Sequence, residues 1–174
     1  MNYAEIKTCD IANGEGVRTS LFVSGCTHRC KGCFNEIAWD FDYGNPFDEA
    51  IRDYILKELT PGYIAGLTLL GGEPFEPVNQ KGLLPFMEEV KKEFPNKNIW
   101  CYTGYLYDVD LQKGGRAYCE YTDRMLQLID ILVDGPFVEA KKDIRLKFRG
   151  SSNQRIIDLK KTLRKGEICL YDIR

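Results

Sequence analysis

Three cysteines, Cys26, Cys30 and Cys33, fall in one short stretch, Cys-x3-Cys-x2-Cys. A thiolate is a soft ligand, and three of them in one loop can wrap a metal centre, either zinc or an iron–sulfur cluster. Structural zinc takes four protein ligands. His28 could offer the fourth, but it sits inside the loop, two residues from both Cys26 and Cys30. That spacing differs from the separated ligand pairs of zinc sites, so zinc is the weaker reading. A four-iron cluster held by three cysteines leaves one iron without a protein ligand, open to an exogenous chelator. The other four cysteines, Cys9, Cys101, Cys119 and Cys169, are isolated. An odd total of seven suits metal or redox chemistry better than a disulfide framework.

The elements that must position this loop can be read from the surrounding pattern. Val17 to Val23 is β-branched and aromatic, reads as a buried strand, and runs through Ser24-Gly25 straight into Cys26. Phe47 to Leu59 reads as a helix, with Asp48 as its cap, Ile51, Tyr54, Ile55 and Leu59 as its apolar stripe, and Pro61-Gly62 as its stop. Ile64 to Leu70 is the next strand and ends in Gly71-Gly72. A second amphipathic helix covers Leu83 to Phe94, followed by a strand at Asn98 to Tyr102, a helix at Tyr121 to Leu128 and a strand at Ile129 to Val133. Gln154 to Leu159 and Glu167 to Tyr171 could supply two more strands. Alternating strands and helices imply a parallel sheet with crossover helices, whose ligands gather beyond the strands' C-terminal ends. Three successive strands end in Ser-Gly-Cys, Gly-Gly-Glu-Pro and Thr-Gly-Tyr, which places all three turns on one edge of the sheet.

Composition sets the outer bounds. The chain has 174 residues, 44% hydrophobic and 29% charged, with a net charge of -2. That excludes a disordered chain and suits one sizeable core, so residues 1–174 are read as one domain. Balanced charge argues against a nucleic-acid partner. No apolar run is long enough to span a bilayer and no signal peptide is visible, so the expectation is a cytoplasmic protein without a membrane partner.

Cys26-x3-Cys30-x2-Cys33 after the first strand and Gly71-Gly72-Glu73-Pro74 after the second resemble the radical S-adenosylmethionine superfamily. The resemblance implies that Cys26, Cys30 and Cys33 hold a 4Fe–4S cluster, one per chain, and that S-adenosylmethionine chelates its open iron. The Gly71-Gly72-Glu73 turn would contact the methionine amino group. Glycines let backbone carbonyls come close to a ligand, and an ammonium group suits carbonyls beside a carboxylate. Gly-Gly alone is often only a turn; its place after the second strand gives it weight.

Further segments narrow the resemblance: Asn13-Gly14-x-Gly16, Leu21 to Cys26, Gly32-Cys33-Phe34-Asn35, Ile99-Trp100-x-Tyr102-Thr103-Gly104-Tyr105, Val133-Asp134-Gly135 and Arg149 to Gln154. Together they are similar to the family of glycyl-radical activases that serve anaerobic ribonucleoside-triphosphate reductases, from the N-terminus to about residue 155. Arg116 to Asp123 and the chain beyond Leu159 have no counterpart in that likeness. One departure from the superfamily is Gly32, which stands before the third cysteine where many members carry an aromatic residue. Phe34 follows that cysteine instead, so Phe34 and the Gly32 backbone are expected to line the adenine end of the cofactor.

The resemblance implies an incomplete parallel (β/α) barrel of the radical S-adenosylmethionine type. It further implies reductive cleavage of S-adenosylmethionine to a 5′-deoxyadenosyl radical, which takes a hydrogen atom from a glycine of the reductase. The implied partners are the large subunit of anaerobic ribonucleoside-triphosphate reductase and a low-potential electron donor such as flavodoxin. No protein acid or base is required, so no catalytic side chain is assigned beyond the cluster ligands. The alternatives are activation of a different glycyl-radical enzyme and, further off, an electron-transfer iron–sulfur protein, which would show a fourth clustered cysteine. Plainer roles fit several residues. Cys101 is a small buried hydrophobe, His28 supports the loop or faces a partner, and Tyr105 is free to face the site. Lys141 to Arg149 reads as a solvated face, and Arg149 to Gln154 as either a polar turn or a contact with cofactor or partner.

Overall fold

A computed structural model describes residues 1–173, and its centre is four parallel strands laid side by side. β2 (Val17–Val23), β4 (Ile64–Gly71), β5 (Asn98–Tyr102) and β6 (Ile131–Asp134) pair in that order, with Leu21 opposite Leu69, Leu69 opposite Cys101 and Cys101 opposite Leu132. Antiparallel strands flank them. β1 (Asn2–Asp10) pairs with β2, β3 (Asn45–Pro46) with β1, and β7 (Arg155–Asp158) with β6. The result is one mixed sheet of seven strands among the described residues, ordered β3-β1-β2-β4-β5-β6-β7, and it does not close on itself.

The strands' period of two sorts their side chains cleanly. Leu21, Val23, Leu67, Leu69, Ile99, Cys101 and Leu132 point to one face and are wholly buried. They join one apolar cluster with residues of α1 (Glu49–Leu59), α2 (Pro77–Glu93) and α3 (Thr122–Leu128), among them Ile55, Leu59, Phe86, Val90 and Met125. The alternate residues build a different environment. Arg18 is fully buried there, its guanidinium donating to Thr68 Oγ1 at 2.7 Å and to the carbonyls of Leu67 at 2.8 Å and Asn98 at 3.2 Å. It lies over the ring of Trp100, 5.6 Å from the centroid. Trp100, Ile131, Val133 and Ile156 form a second apolar cluster with Tyr102 and Phe148 packed against it.

Local sequence explains the element ends. Asp48 caps α1 by accepting from Ile51 N at 3.0 Å, and Pro77 opens α2, where its missing N–H costs nothing. Asp158 caps α4 (Leu159–Lys165) by accepting from Lys161 N, and Gly166 ends it with φ +73°. No helix among the described residues is long and apolar enough to cross a membrane.

Several sequence expectations change. The sheet is parallel only in its middle, because β1, β3 and β7 join it through antiparallel edges. α2 starts at Pro77, two turns before the apolar stripe begins, because its first turns bury the polar Asn79 and Gln80. The β6 strand is Ile131–Asp134, not Ile129 to Val133, because Ile129 follows α3 directly as its C-cap. Glu167 to Tyr171 is not a strand of this sheet; it makes one isolated bridge, Ile157 with Leu170. No apolar alternation in the sequence marks β1, which is only partly buried.

Gly66 shows how tightly β4 and β5 meet. A Cβ there would lie 1.9 Å from the Asn98 carbonyl oxygen, a backbone atom that cannot swing aside. Gly66→Ala is expected to destabilise the fold by about 1–3 kcal/mol. A thermal melt of the two proteins checks this, and an unchanged melting temperature would contradict the register.

Candidate functional site

The parallel strands deliver their C-terminal turns to one edge, as the sequence pattern required. β2 runs into Ser24-Gly25-Cys26, β4 into Gly72-Glu73, β5 into Thr103-Gly104 and β6 into Gly135. The first two turns meet backbone to backbone. Gly72 N donates to Val23 O at 2.7 Å and Glu73 N to Gly25 O at 2.8 Å. A Cβ on Gly72 would lie 2.5 Å from Gly25 O, and one on Gly71, at φ +109°, 2.7 Å from Phe22 Cα. The glycines of this turn are therefore demanded by the neighbouring strand as well as by any ligand.

The cysteine loop leaves this junction and returns to it. Gly25 N donates to Ala38 O at 2.8 Å and Cys26 N to Trp39 O at 3.2 Å, so the short 3-10 helix Glu36–Trp39 closes the loop at its base. Within it Arg29 and Gly32 take left-handed backbone, at φ +50° and +73°. Cys33 N donates to Cys30 O, and Asn35 N reaches the Cys33 sulfur at 3.4 Å.

Cys26, Cys30, Gly32, Cys33, Phe34, Gly71, Gly72 and Glu73 all line one cavity of about 440 Å³. A cavity of that size suits a cofactor-sized ligand. Phe34 is 84% exposed and so stands at the mouth. Cys26, Cys30 and Cys33 are partly buried free thiols, whereas Cys101 is sealed in the core and Cys9, Cys119 and Cys169 lie off the cavity. Among the described residues no three of His, Cys, Asp and Glu are grouped to hold a single metal ion.

Glu73 is 1% exposed, and its carboxylate is surrounded by donors. Oε1 accepts from Phe75 N at 2.9 Å and Thr103 Oγ1 at 2.8 Å, while Oε2 accepts from Gly104 N at 2.8 Å and lies 2.9 Å from His28 Nε2. His28 thus supports the cysteine loop, as the sequence suggested, with its ring 4.2 Å from that of Tyr105. Tyr105 itself is 6% exposed and packs behind the loop in the core, so the expectation that it faces the site is corrected.

The far wall comes from the segment read as a solvated face. Asp143, Leu146, Phe148 and Arg149 turn into the cavity, and the exposed side keeps Lys141, Arg145 and Lys147. Arg149 to Gln154 is a turn organised by Gln154, whose Oε1 accepts from Gly150 N and Ser151 N, and Arg149, Gly150 and Gln154 all line the cavity. Tyr102, assigned no role from sequence, also lines it, with its buried hydroxyl lacking a hydrogen-bond partner. The signal was present: Tyr102 alternates with Cys101, so a core Cys101 sends Tyr102 to the cavity face.

Burial pushes the Cys26 thiol up to about 12, with the charges of Glu73 and Glu76 adding to the effect, and burial also raises Cys30. Both are held as thiols until a metal displaces the proton.

A mixed α/β sheet that brings three free thiols to one cavity has the donor set of a metal–thiolate protein. The family model described as a 4Fe-4S single cluster domain matches residues 12–157. The chain is 47% identical over 156 residues to the anaerobic ribonucleoside-triphosphate reductase-activating protein of Haemophilus influenzae, covering 88% of this chain and 96% of that protein. The corresponding protein of Pasteurella multocida is 46% identical over 157 residues, covering 88% and 95%. That of Escherichia coli is 42% identical over 156 residues, covering 88% and 96%. The chain belongs to the 4Fe-4S single-cluster family and, within it, to the anaerobic ribonucleoside-triphosphate reductase-activating proteins.

In metal-free protein the raised Cys26 thiol is mostly protonated at neutral pH, more so than an ordinary cysteine. Its alkylation by iodoacetamide is expected to be slow there and to climb about tenfold per pH unit in the alkaline range. Peptide mapping after timed alkylation checks this. Rapid, pH-independent labelling of Cys26 at pH 7 would contradict it.

Proposed function

We propose that this chain is the activase of an anaerobic ribonucleotide reductase, generating a glycyl radical on the reductase's large subunit. One observation carries the reading beyond family membership: Cys26, Cys30 and Cys33 share a cavity with Gly71, Gly72 and Glu73 at the C-terminal edge of parallel strands. When bound there, a 4Fe–4S cluster and S-adenosylmethionine supply the one-electron chemistry that removes a hydrogen atom from a glycine.

The chain's own residues bind and orient. Cys26, Cys30 and Cys33 would each take one iron. The backbone of Gly71 and Gly72 offers close polar contact for the methionine end of the cofactor, with the buried charge of Glu73 directly behind it. Because that carboxylate already holds four donors, it acts on the cofactor's ammonium group as nearby charge and as the anchor of the turn. Gly32 and Phe34 lie at the mouth, in position for the adenine end. The exposed Phe34 and the open cavity leave an approach for a glycine presented on a loop of the reductase.

The finer architecture we assign is an incomplete (β/α) barrel of the radical S-adenosylmethionine type, spanning residues 1–174 as one domain. Four adjacent parallel strands, helices on one apolar face and a cavity on the other support it. A low-potential donor of the flavodoxin kind would deliver the electron through the exposed outer side of the cysteine loop. All seven cysteines are free, which suits the reducing cytoplasm, the compartment we assign.

The test is anaerobic. The chain is loaded with iron and sulfide, reduced, and given S-adenosylmethionine with the purified reductase. Release of 5′-deoxyadenosine, with a glycyl radical appearing on the reductase by electron paramagnetic resonance, is the expected result. A loaded, reducible protein that cleaves no S-adenosylmethionine would overturn the activase reading in favour of electron transfer. Cleavage without the radical would redirect it to another glycyl-radical enzyme.

A further inference from the structure

Between Cys26 and Cys30 the cysteine loop is tied down at two consecutive residues, and both ties run to carboxylates on the turn that follows β4. His28 meets Glu73 at 2.9 Å. Thr27 meets Glu76, whose Oε1 accepts from the Thr27 backbone N–H at 2.8 Å and from its hydroxyl at 2.6 Å. We propose that Glu76 is a positioning residue for the metal centre, clamping Thr27 so that Cys26 is set for the cluster before the cluster arrives.

Glu76 is hard to explain otherwise. It is 5% exposed, yet among the described residues no lysine, arginine or histidine pairs with it. A buried carboxylate without a cation costs several kcal/mol unless other donors satisfy it. It occupies the N-cap position of α2, where a side chain ordinarily accepts from its own helix, but it makes no such bond. The helix N-terminus still favours its charge, while its oxygen is turned to the loop. Thr27 is exposed, so burial does not hold it in place. The hydrogen bonds to Glu76 do.

The neighbouring tie makes the clamp two-pronged. His28 is wedged between Tyr105, at 4.2 Å between ring centroids, and Gly104, where a Cβ would lie 2.7 Å from the imidazole Cδ2. Thr27 Oγ1 also lies 3.5 Å from the Tyr105 hydroxyl. The half of the loop that carries Cys26 is thereby fixed to β4, β5 and α2, and the cluster need not order it on binding. Preorganisation of this kind appears as tighter holding and slower loss. The inference rests on the reading that Cys26, Cys30 and Cys33 hold the cluster, and the experiment separates the two.

Full-length wild type, Thr27→Ser, Thr27→Val, Glu76→Gln and the double variant Thr27→Val with Glu76→Gln are loaded anaerobically with iron and sulfide. Three quantities are read: iron per chain after desalting, the rate of iron loss to an excess of chelator, and the reduction midpoint potential of the bound cluster. Thr27→Ser keeps the hydroxyl and is expected to match wild type in all three. Thr27→Val, which loses the hydroxyl's bond, and Glu76→Gln, which leaves both bonds on a neutral acceptor, are expected to lose iron roughly tenfold faster, because bonds to a charged acceptor are the stronger ones. Their potentials should shift together. The double variant should be worse by less than the two single effects combined, because both weaken the same Thr27–Glu76 contact. Wild-type rates in Thr27→Val and Glu76→Gln would overturn the clamp while leaving the cluster reading intact, as would a Thr27→Ser protein as leaky as Thr27→Val. A wild-type chain that takes up no iron would overturn both.

Discussion

The site depends on one contact, the backbone junction between the ends of β2 and β4. Gly72 and Glu73 donate to the carbonyls of Val23 and Gly25 at 2.7 and 2.8 Å, with no room at Gly71 or Gly72 for a side chain. Asn79, fully buried in the first turn of α2, donates to both Ser24 O and Glu73 O at 2.9 Å and so bridges the same two turns. On the other side Phe41 covers Gly25, where a Cβ would lie 2.2 Å from the ring. The cysteine loop and the glycine turn therefore cannot drift apart without breaking the sheet. A metal site on a loop gains precision when it is bound to rigid strands in this way.

The two faces of the sheet divide the work. One face is apolar and takes the helices; the burial of residues such as Leu69 and Phe86 holds the strands in register. The other face is aromatic and polar, with Arg18 satisfied by a hydroxyl and carbonyls rather than a carboxylate, and with Tyr102 and Leu70 turned into the cavity. The parallel order then brings every turn that follows a central strand to one edge. Chemistry at that edge is a consequence of topology, since neighbouring parallel strands end side by side.

Much of this was legible in the sequence because burial writes itself in hydrophobic runs. Ile64 to Leu70 is buried on both faces and reads as a nearly continuous apolar stretch, while Val17 to Val23 reads as a strand through its β-branched and aromatic residues despite the buried Arg18, Thr19 and Ser20. Asp48 and the cysteine spacing are local signals of local structure, whereas Pro77, an equally local helix-start signal, is passed over when the apolar stripe alone sets the start of α2 at Leu83. What stayed hidden is non-local. β1 is half exposed and rich in polar residues, so nothing in its pattern marks a strand; its partner β2 makes it one. Asn79, Gln80 and Glu76 look like surface residues of a helix start, yet they are buried because their partners lie on other segments. The segment Lys141 to Arg149 reads as solvated by charge alone, since its cavity side is set by packing such as Phe148 on Trp100.

The central claim is that three thiols and no others hold the metal centre of this chain. Iron and sulfide per chain, measured after anaerobic loading of each of the seven cysteine-to-alanine variants, tests it most directly. Cys26→Ala, Cys30→Ala and Cys33→Ala should each lose the four-iron cluster, while the variants at Cys9, Cys101, Cys119 and Cys169 retain it, with Cys101→Ala costing chiefly stability. Loss of the cluster in Cys169→Ala, or its full retention in any of the three loop variants, would contradict the account.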